Sequence, residues 1–236
     1  MIYHIPPEKI LFIDIETVPQ WSDYQDMPER FRVLWDKKAE RIRRRDEDTA
    51  EMLFNSAGIY AEFGKVVCIS SGFLANGELR IKSFYGDDEA LLLKEFSYLL
   101  DTYYSRPDFL LCAHNGKEFD FPFLSRRLLI NGLKLPQILD NAGKKPWEVP
   151  FLDTMELWRF GDYKNFTSLE LLAAVFDIPT PKDDISGADI QQVYWKENDL
   201  ERIVTYCQKD VITIVQLFLR YQNLPLLPEA QVKIIE

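Results

Sequence analysis

Ile10-Leu11-Phe12-Ile13-Asp14-Ile15-Glu16 is the stretch from which the rest of the chain is read. Alternation puts Ile10, Phe12, Asp14 and Glu16 on one face of an extended segment and Leu11, Ile13 and Ile15 on the other. A strand this apolar belongs in the middle of a sheet, with its acids near the C-terminal end. Two carboxylates there are costly to bury without a counter-charge. Standing two apart, they leave the same face with Cβ atoms about 7 Å apart, close enough to converge on one cation. Hard divalent ions such as Mg²⁺ or Mn²⁺ prefer oxygen donors of this kind.

Outward from that strand the chain changes character. Residues 21–58 interleave acids and bases, have no glycine before Gly58, and carry the run KKAERIRRRDED from Lys37 to Asp48. This reads as a helical insertion between the first two strands. Its basic run, Lys37 to Arg45, is either a solvated helix face or a guide for an anionic strand. The same two readings hold for Lys144, Lys145 and Lys164. Residues 65–84 form a predicted hairpin turning at Asn76-Gly77. A helix follows from Asp88 to about Tyr104, with Leu91, Leu92, Glu95, Phe96, Leu99 and Leu100 on its apolar face. Phe109 to Cys112 is a short strand, and a helix runs from about Phe121 to Ile130. Phe151-Leu152-Asp153 is another strand. Thr167-x-x-Glu170 is a capping box for a helix through Phe176, and the last helix spans roughly Asp199 to Arg220. The order is mixed α/β and fits one domain over residues 1–236.

Composition narrows the classes. Hydrophobic residues are 47% and charged residues 28% of the 236, the balance of a soluble globular protein. No apolar run approaches the roughly 18 residues of a membrane span, so no membrane partner is expected. The N-terminus has no secretory pattern. Cys68, Cys112 and Cys207 lie in apolar segments without metal-type spacing, as expected of core thiols in a reducing, cytoplasmic setting. The net charge of -10 argues against tight duplex binding and is compatible with a grip on a few nucleotides.

Two further segments carry acids. Asp120 follows Asn115 by five residues and precedes Pro122; it is a helix N-cap or a site carboxylate. Asn115 either forms an Asn-Gly turn with Gly116 or offers an amide to a sugar or phosphate. His114 has no second catalytic partner in view and reads as a packed histidine. Tyr206 and Asp210, four apart, share one face of the last helix. They flank a core stripe of Ile203, Cys207, Val211, Ile214 and Phe218, as a surface pair or as a site lining. Asp153 is a turn cap or an extra ligand.

Taken together, Asp14-x-Glu16, Asn115-x-x-x-Phe119-Asp120 and Tyr206-x-x-x-Asp210 resemble the three motifs of the DEDD 3′–5′ exonucleases, tyrosine (DEDDy) branch. The histidine branch is excluded, because the position five before Asp210 is Thr205. Phe119-Asp120-x-Pro122-x-Leu124 is most similar to the proofreading domain of family B DNA polymerases. The DISGADIQQVYW segment and the YCQKDV helix resemble stand-alone bacterial proteins of that lineage, with no room for palm or fingers. The resemblance covers Ile10 to about Arg220 and implies a ribonuclease-H-like fold, a mixed sheet flanked by helices. It implies two divalent cations, Mg²⁺ or Mn²⁺, about 3.5–4 Å apart, held by Asp14, Glu16, Asp120 and Asp210. Tyr206 would orient the attacking water, and Thr17, Asn115 and Phe119 would contact substrate. The implied substrate is a single-stranded DNA 3′ end, shortened by nucleoside 5′-monophosphates. An exoribonuclease of the ribonuclease D kind shares the same residues, and a non-catalytic nucleic-acid-binding module is the reading from another class.

Overall fold

β1 (Ile10–Pro19) runs three residues past Glu16 and lies inside a six-stranded mixed sheet. The computed structural model describes residues 4–162, 164, 166–179 and 185–235; Asp184, which opens the DISGADIQQVYW segment, lies outside them. β2 (Gly64–Ala75) pairs antiparallel with β1 and with β3 (Glu78–Tyr85). Asn76 and Gly77 both have positive φ, 54° and 78°, as a two-residue hairpin turn of this hand requires. On the other side of β1 lie β4 (Leu110–Ala113) and β5 (Phe151–Asp153), both parallel to it. β6 (Val232–Ile235) pairs parallel with β3 and completes the order β5-β4-β1-β2-β3-β6.

The alternation in β1 sorts the two cores. Leu11, Ile13 and Ile15 join Leu92, Phe96 and Leu100 of α3 (Glu89–Tyr103) and Phe121, Phe123 and Leu124 of α4 (Asp120–Ile130). Ile10 and Phe12 face Val211, Ile214, Val215 and Phe218 of α8 (Leu200–Tyr221). Helices therefore cover both faces, and each fully buried aliphatic side chain contributes about 1.5–3 kcal/mol. The predicted stripe of α8 is buried throughout.

Two local expectations are corrected, and one open alternative is decided. In α3, Leu91 is exposed and Leu93 buried, because the helix presents Glu89 inward. That carboxylate takes Arg127 Nε at 2.8 Å, Asn131 Nδ2 at 2.9 Å and the Val66 N–H at 2.7 Å. Two charged residues thus occupy a core position that hydrophobic periodicity cannot see. The cap of α6 (Leu169–Val175) is Ser168, whose hydroxyl accepts from the Leu171 N–H, rather than Thr167. Thr167 is pulled inward, its carbonyl accepting from His114 Nε2 at 3.0 Å. Of the two readings of Asp120, the N-cap does not hold: Phe119 takes that position and Asp120 is the first helical residue.

Residues 21–59 hold α1 (Glu29–Ile42), α2 (Ala50–Leu53) and a 3-10 segment, Phe54–Ile59. With Phe63 just beyond them they form a small core built on Met27, Trp35, Ala39, Phe54 and Ala57. Gly58 lets this unit sit directly on β1, since a Cβ there would lie 3.1 Å from the Val18 backbone. α5 (Thr154–Arg159) follows β5, and α7 (Ile190–Gln192) continues into a π-helical turn, Val193–Glu197. The C-terminal segment docks on this domain. The Gln216 amide exchanges hydrogen bonds with the backbone of Leu227, and β6 then adds to the sheet.

Candidate active site

β1 delivers the first two acids from the face that packs toward α8. Asp14 lies opposite Ser70 and Glu16 opposite Cys68 on β2, and the register shifts between Glu16 and Thr17. Such bulges re-aim side chains next to active sites. Thr17, half-buried, is the first residue beyond this one. The third acid comes from α4. Asp120 is 3% exposed, with its own N–H and that of Ile15 against the carboxylate. The fourth comes from α8, where Asp210 accepts from the Tyr206 hydroxyl one turn earlier.

These groups share one field. Burial, then Glu16, Asp210 and Asp120, hold the Asp14 carboxyl well above the usual range. Glu16 is raised by burial and then by Asp210. Burial pushes Asp120 up to about 7, partly opposed by the backbone N–H groups. Tyr206 is raised by burial and by Asp210, Glu16 and Asp14, so its phenol stays protonated at neutral pH. The structure thus brings Asp14, Glu16, Asp120, Tyr206 and Asp210 together, as their spacing along the chain alone could not ensure.

Sequence reasoning missed Cys207, assigned only to the core stripe. Its thiol donates to the Asp14 carbonyl at 3.4 Å, and its sulfur lies within 4.8 Å of a carboxylate oxygen from each of Asp14 and Glu16. Its position between Tyr206 and Asp210 was the available signal. Asp14 Oδ2 is buried without a hydrogen-bond partner. An orphaned carboxylate oxygen among three other acids fits a cation, and the donor set, mostly hard oxygen, fits Mg²⁺ or Mn²⁺.

The remaining candidates lie between β4 and α4 and at the end of β5. Asn115 adopts φ 63°, a conformation Asn tolerates, and its Oδ1 is buried and unpartnered. Gly116 is obligatory beside it, since a Cβ there would lie 2.4 Å from the Ala113 Cβ. Phe119 packs on Phe123 with ring centroids 5.4 Å apart. Asp153 acts as a cap: it accepts from the Asn115, Lys117, Met155 and Glu156 N–H groups and so ties the 115–117 turn to α5. His114 is packed, Nε2 donating to the Thr167 carbonyl and Nδ1 accepting from the Thr154 hydroxyl at 2.9 Å. A cavity of about 600 Å³ is lined by Asn115, Phe121, Leu139, Phe151 and Asp153 but by none of the four clustered acids.

The architecture defines the class first. The chain superposes on the family B DNA polymerase of the hyperthermophilic archaeon Pyrobaculum calidifontis with a TM-score of 0.54 and 17% identity, over 92% of its own length. It spans 25% of that polymerase, and at this identity the likeness is one of fold. The mixed sheet flanked by helices is the ribonuclease-H-like fold that the motifs implied. No curated protein matches the sequence. Residues 59–227 match the family described as predicted 3′–5′ exonucleases related to the exonuclease domain of PolB, and the chain belongs to that family. That match takes in Asp120, Tyr206 and Asp210 and leaves Asp14 and Glu16 on its N-terminal side.

Proposed function

We propose that the chain is a metal-dependent 3′–5′ exonuclease that removes nucleoside 5′-monophosphates from single-stranded DNA ends in the cytoplasm. The observation that carries this reading is that Asp14 Oδ2 is buried without a partner while Glu16, Asp210 and Asp120 all raise its carboxyl. A binding module has no use for concentrated negative charge where phosphates must sit.

Asp14, Glu16, Asp120 and Asp210 would hold two divalent cations, Mg²⁺ or Mn²⁺. Bound there, such ions neutralise the phosphodiester, acidify water and stabilise the leaving oxygen. The chain's own groups supply position. Tyr206, held protonated by its neighbours, orients the attacking water by hydrogen bond instead of acting as a base. Asn115 offers its unpartnered Oδ1 to the terminal nucleotide; Thr17 contacts its sugar or phosphate, and Phe119 its base. Water attacks phosphorus, the bond to the 3′-oxygen breaks, and that oxygen takes up a proton. The products are a nucleoside 5′-monophosphate and a strand shorter by one residue. Three free, buried thiols fit a reducing compartment.

The test is cleavage of 5′-labelled single-stranded DNA and RNA with Mg²⁺, Mn²⁺ or EDTA. A metal-dependent ladder on DNA, lost in Asp14→Asn and slowed in Tyr206→Phe, is the expected result. A ladder mainly on RNA would transfer the assignment to an exoribonuclease, and no cleavage of either by folded protein would refute it.

A further inference from the structure

Of the 17 residues from 29 to 45, eight are Lys or Arg and three are Asp or Glu, in a chain whose net charge is -10. The structure shows how this charge is displayed. α1 turns Trp35 and Ala39 inward and exposes Arg30, Leu34, Lys37 and Arg41. Those four recur at helical spacing and so form one stripe along the outer face. From Arg30 to Arg41 it is about 16 Å long at 1.5 Å per residue.

Two features separate this stripe from an ordinary solvated face. A face built for solubility places opposite charges four apart. Here Lys37 and Arg41 are four apart with like sign, and the opposite-charge pair four apart, Arg32 and Asp36, lies on the neighbouring flank. Arg30, Lys37 and Arg41 take part in no ion pair among the described residues, whereas Arg45 is held by Asp48 at 3.1 Å. The stripe is also rigidly mounted. Trp35 Nε1 donates to the Ala50 carbonyl at 2.8 Å, and its ring packs on Phe54, Tyr60 and Phe63. The unit rests on the end of β1 three residues past Glu16: the Gln20 N–H donates to the Phe63 carbonyl at 2.9 Å, and Gly58 abuts Val18.

We propose that the outer stripe of α1, Arg30, Lys37 and Arg41, is a phosphate-backbone binding site for the nucleic-acid strand whose end lies in the carboxylate cluster. This rests on the exonuclease reading and adds to it a second contact, remote from the reacting atoms. The stripe supplies positive charge that the acidic cluster cannot, and a row of cations about 16 Å long matches a strand bearing a charge every few ångströms. Leu34 and Val33 are exposed beside it and give the sugar edges an apolar surface.

The test is the salt dependence of oligonucleotide binding in EDTA, by fluorescence anisotropy, for the wild type and for the triple variant Arg30→Gln, Lys37→Gln, Arg41→Gln. Gln is nearly as helix-favouring as Lys or Arg, and circular dichroism checks the fold. Loss of three phosphate contacts lowers the slope of log K against log salt by about 2 for a single strand. Affinities that converge near 1 M salt then differ about 100-fold at 0.1 M. Equal slopes in the two proteins, or no oligonucleotide binding by the wild type, would overturn the proposal. So would loss of binding to anionic lipid vesicles with the oligonucleotide slope unchanged, which would make the stripe a membrane-surface contact. Hydrolysis of the p-nitrophenyl ester of thymidine 5′-monophosphate with Mn²⁺ reports on the carboxylate cluster alone. Equal turnover in both proteins keeps the exonuclease reading even if the stripe fails, and its absence from both refutes that reading separately.

Discussion

Asp120 is the acid whose cost to the metal-free fold is most directly measurable. Its carboxyl is raised to about 7, with burial the largest cause, while in the unfolded chain it titrates near 3.9. Between those values the folded state binds the proton that the unfolded state has released. Metal-free stability therefore falls as pH rises through this window and levels off above about 7. Across pH 5.5–8.5 the loss from this group is about 2 kcal/mol. With a urea m-value of roughly 2 kcal/mol per molar, the unfolding midpoint drops by about 1 M. Asp120→Asn keeps the shape and removes the titration, so in EDTA its midpoint should be less pH-dependent by about that amount. The assay is urea unfolding in EDTA, followed by tryptophan fluorescence, and then repeated with Mn²⁺. Added Mn²⁺ should stabilise the wild type and flatten its pH profile, because cation binding to the folded state alone shifts the equilibrium. Identical pH profiles for wild type and variant in EDTA would refute the electrostatic picture of the cluster.

Two further outcomes are expected. Arg127→Ala leaves Glu89 buried beside Val66 and Asn131 without its cation, and should cost about 3–5 kcal/mol in urea or thermal unfolding; a loss under 1 kcal/mol would mean that the pair is dispensable. Gly116→Ala forces a Cβ into the 2.4 Å gap beside Ala113; about 1–3 kcal/mol of overpacking strain should accompany reduced cleavage, and unchanged cleavage would free the 115–120 turn from any role in placing Asp120.

The sheet was legible wherever periodicity and turn chemistry agreed. β1 and the Asn76-Gly77 hairpin are examples: one alternates from Ile10 to Glu16, and the other carries a dipeptide that suits a tight hairpin turn. The buried pair Glu89–Arg127 was not legible, since charge in a helix reads as surface until its partner is known. Cys207 was overlooked because a thiol on an apolar stripe is ordinarily core, which it is as well. Asp120 was ambiguous for a different reason. One residue separates an N-cap from a first helical position, and only the fold shows which way the carboxylate turns.

The private core of the excursion has a consequence for how the chain folds. β1 and β2 pair Pro19 with Gly64, so forming the central hairpin means closing a long loop before any strand contact repays the entropy. Trp35, Phe54 and Phe63 gather that loop into a compact unit whose two ends already lie side by side. Central pairing then becomes almost a local event, as in a chain of lower contact order. The insertion that separates the first two acids from the rest of the site along the sequence thus also shortens the search by which they meet it.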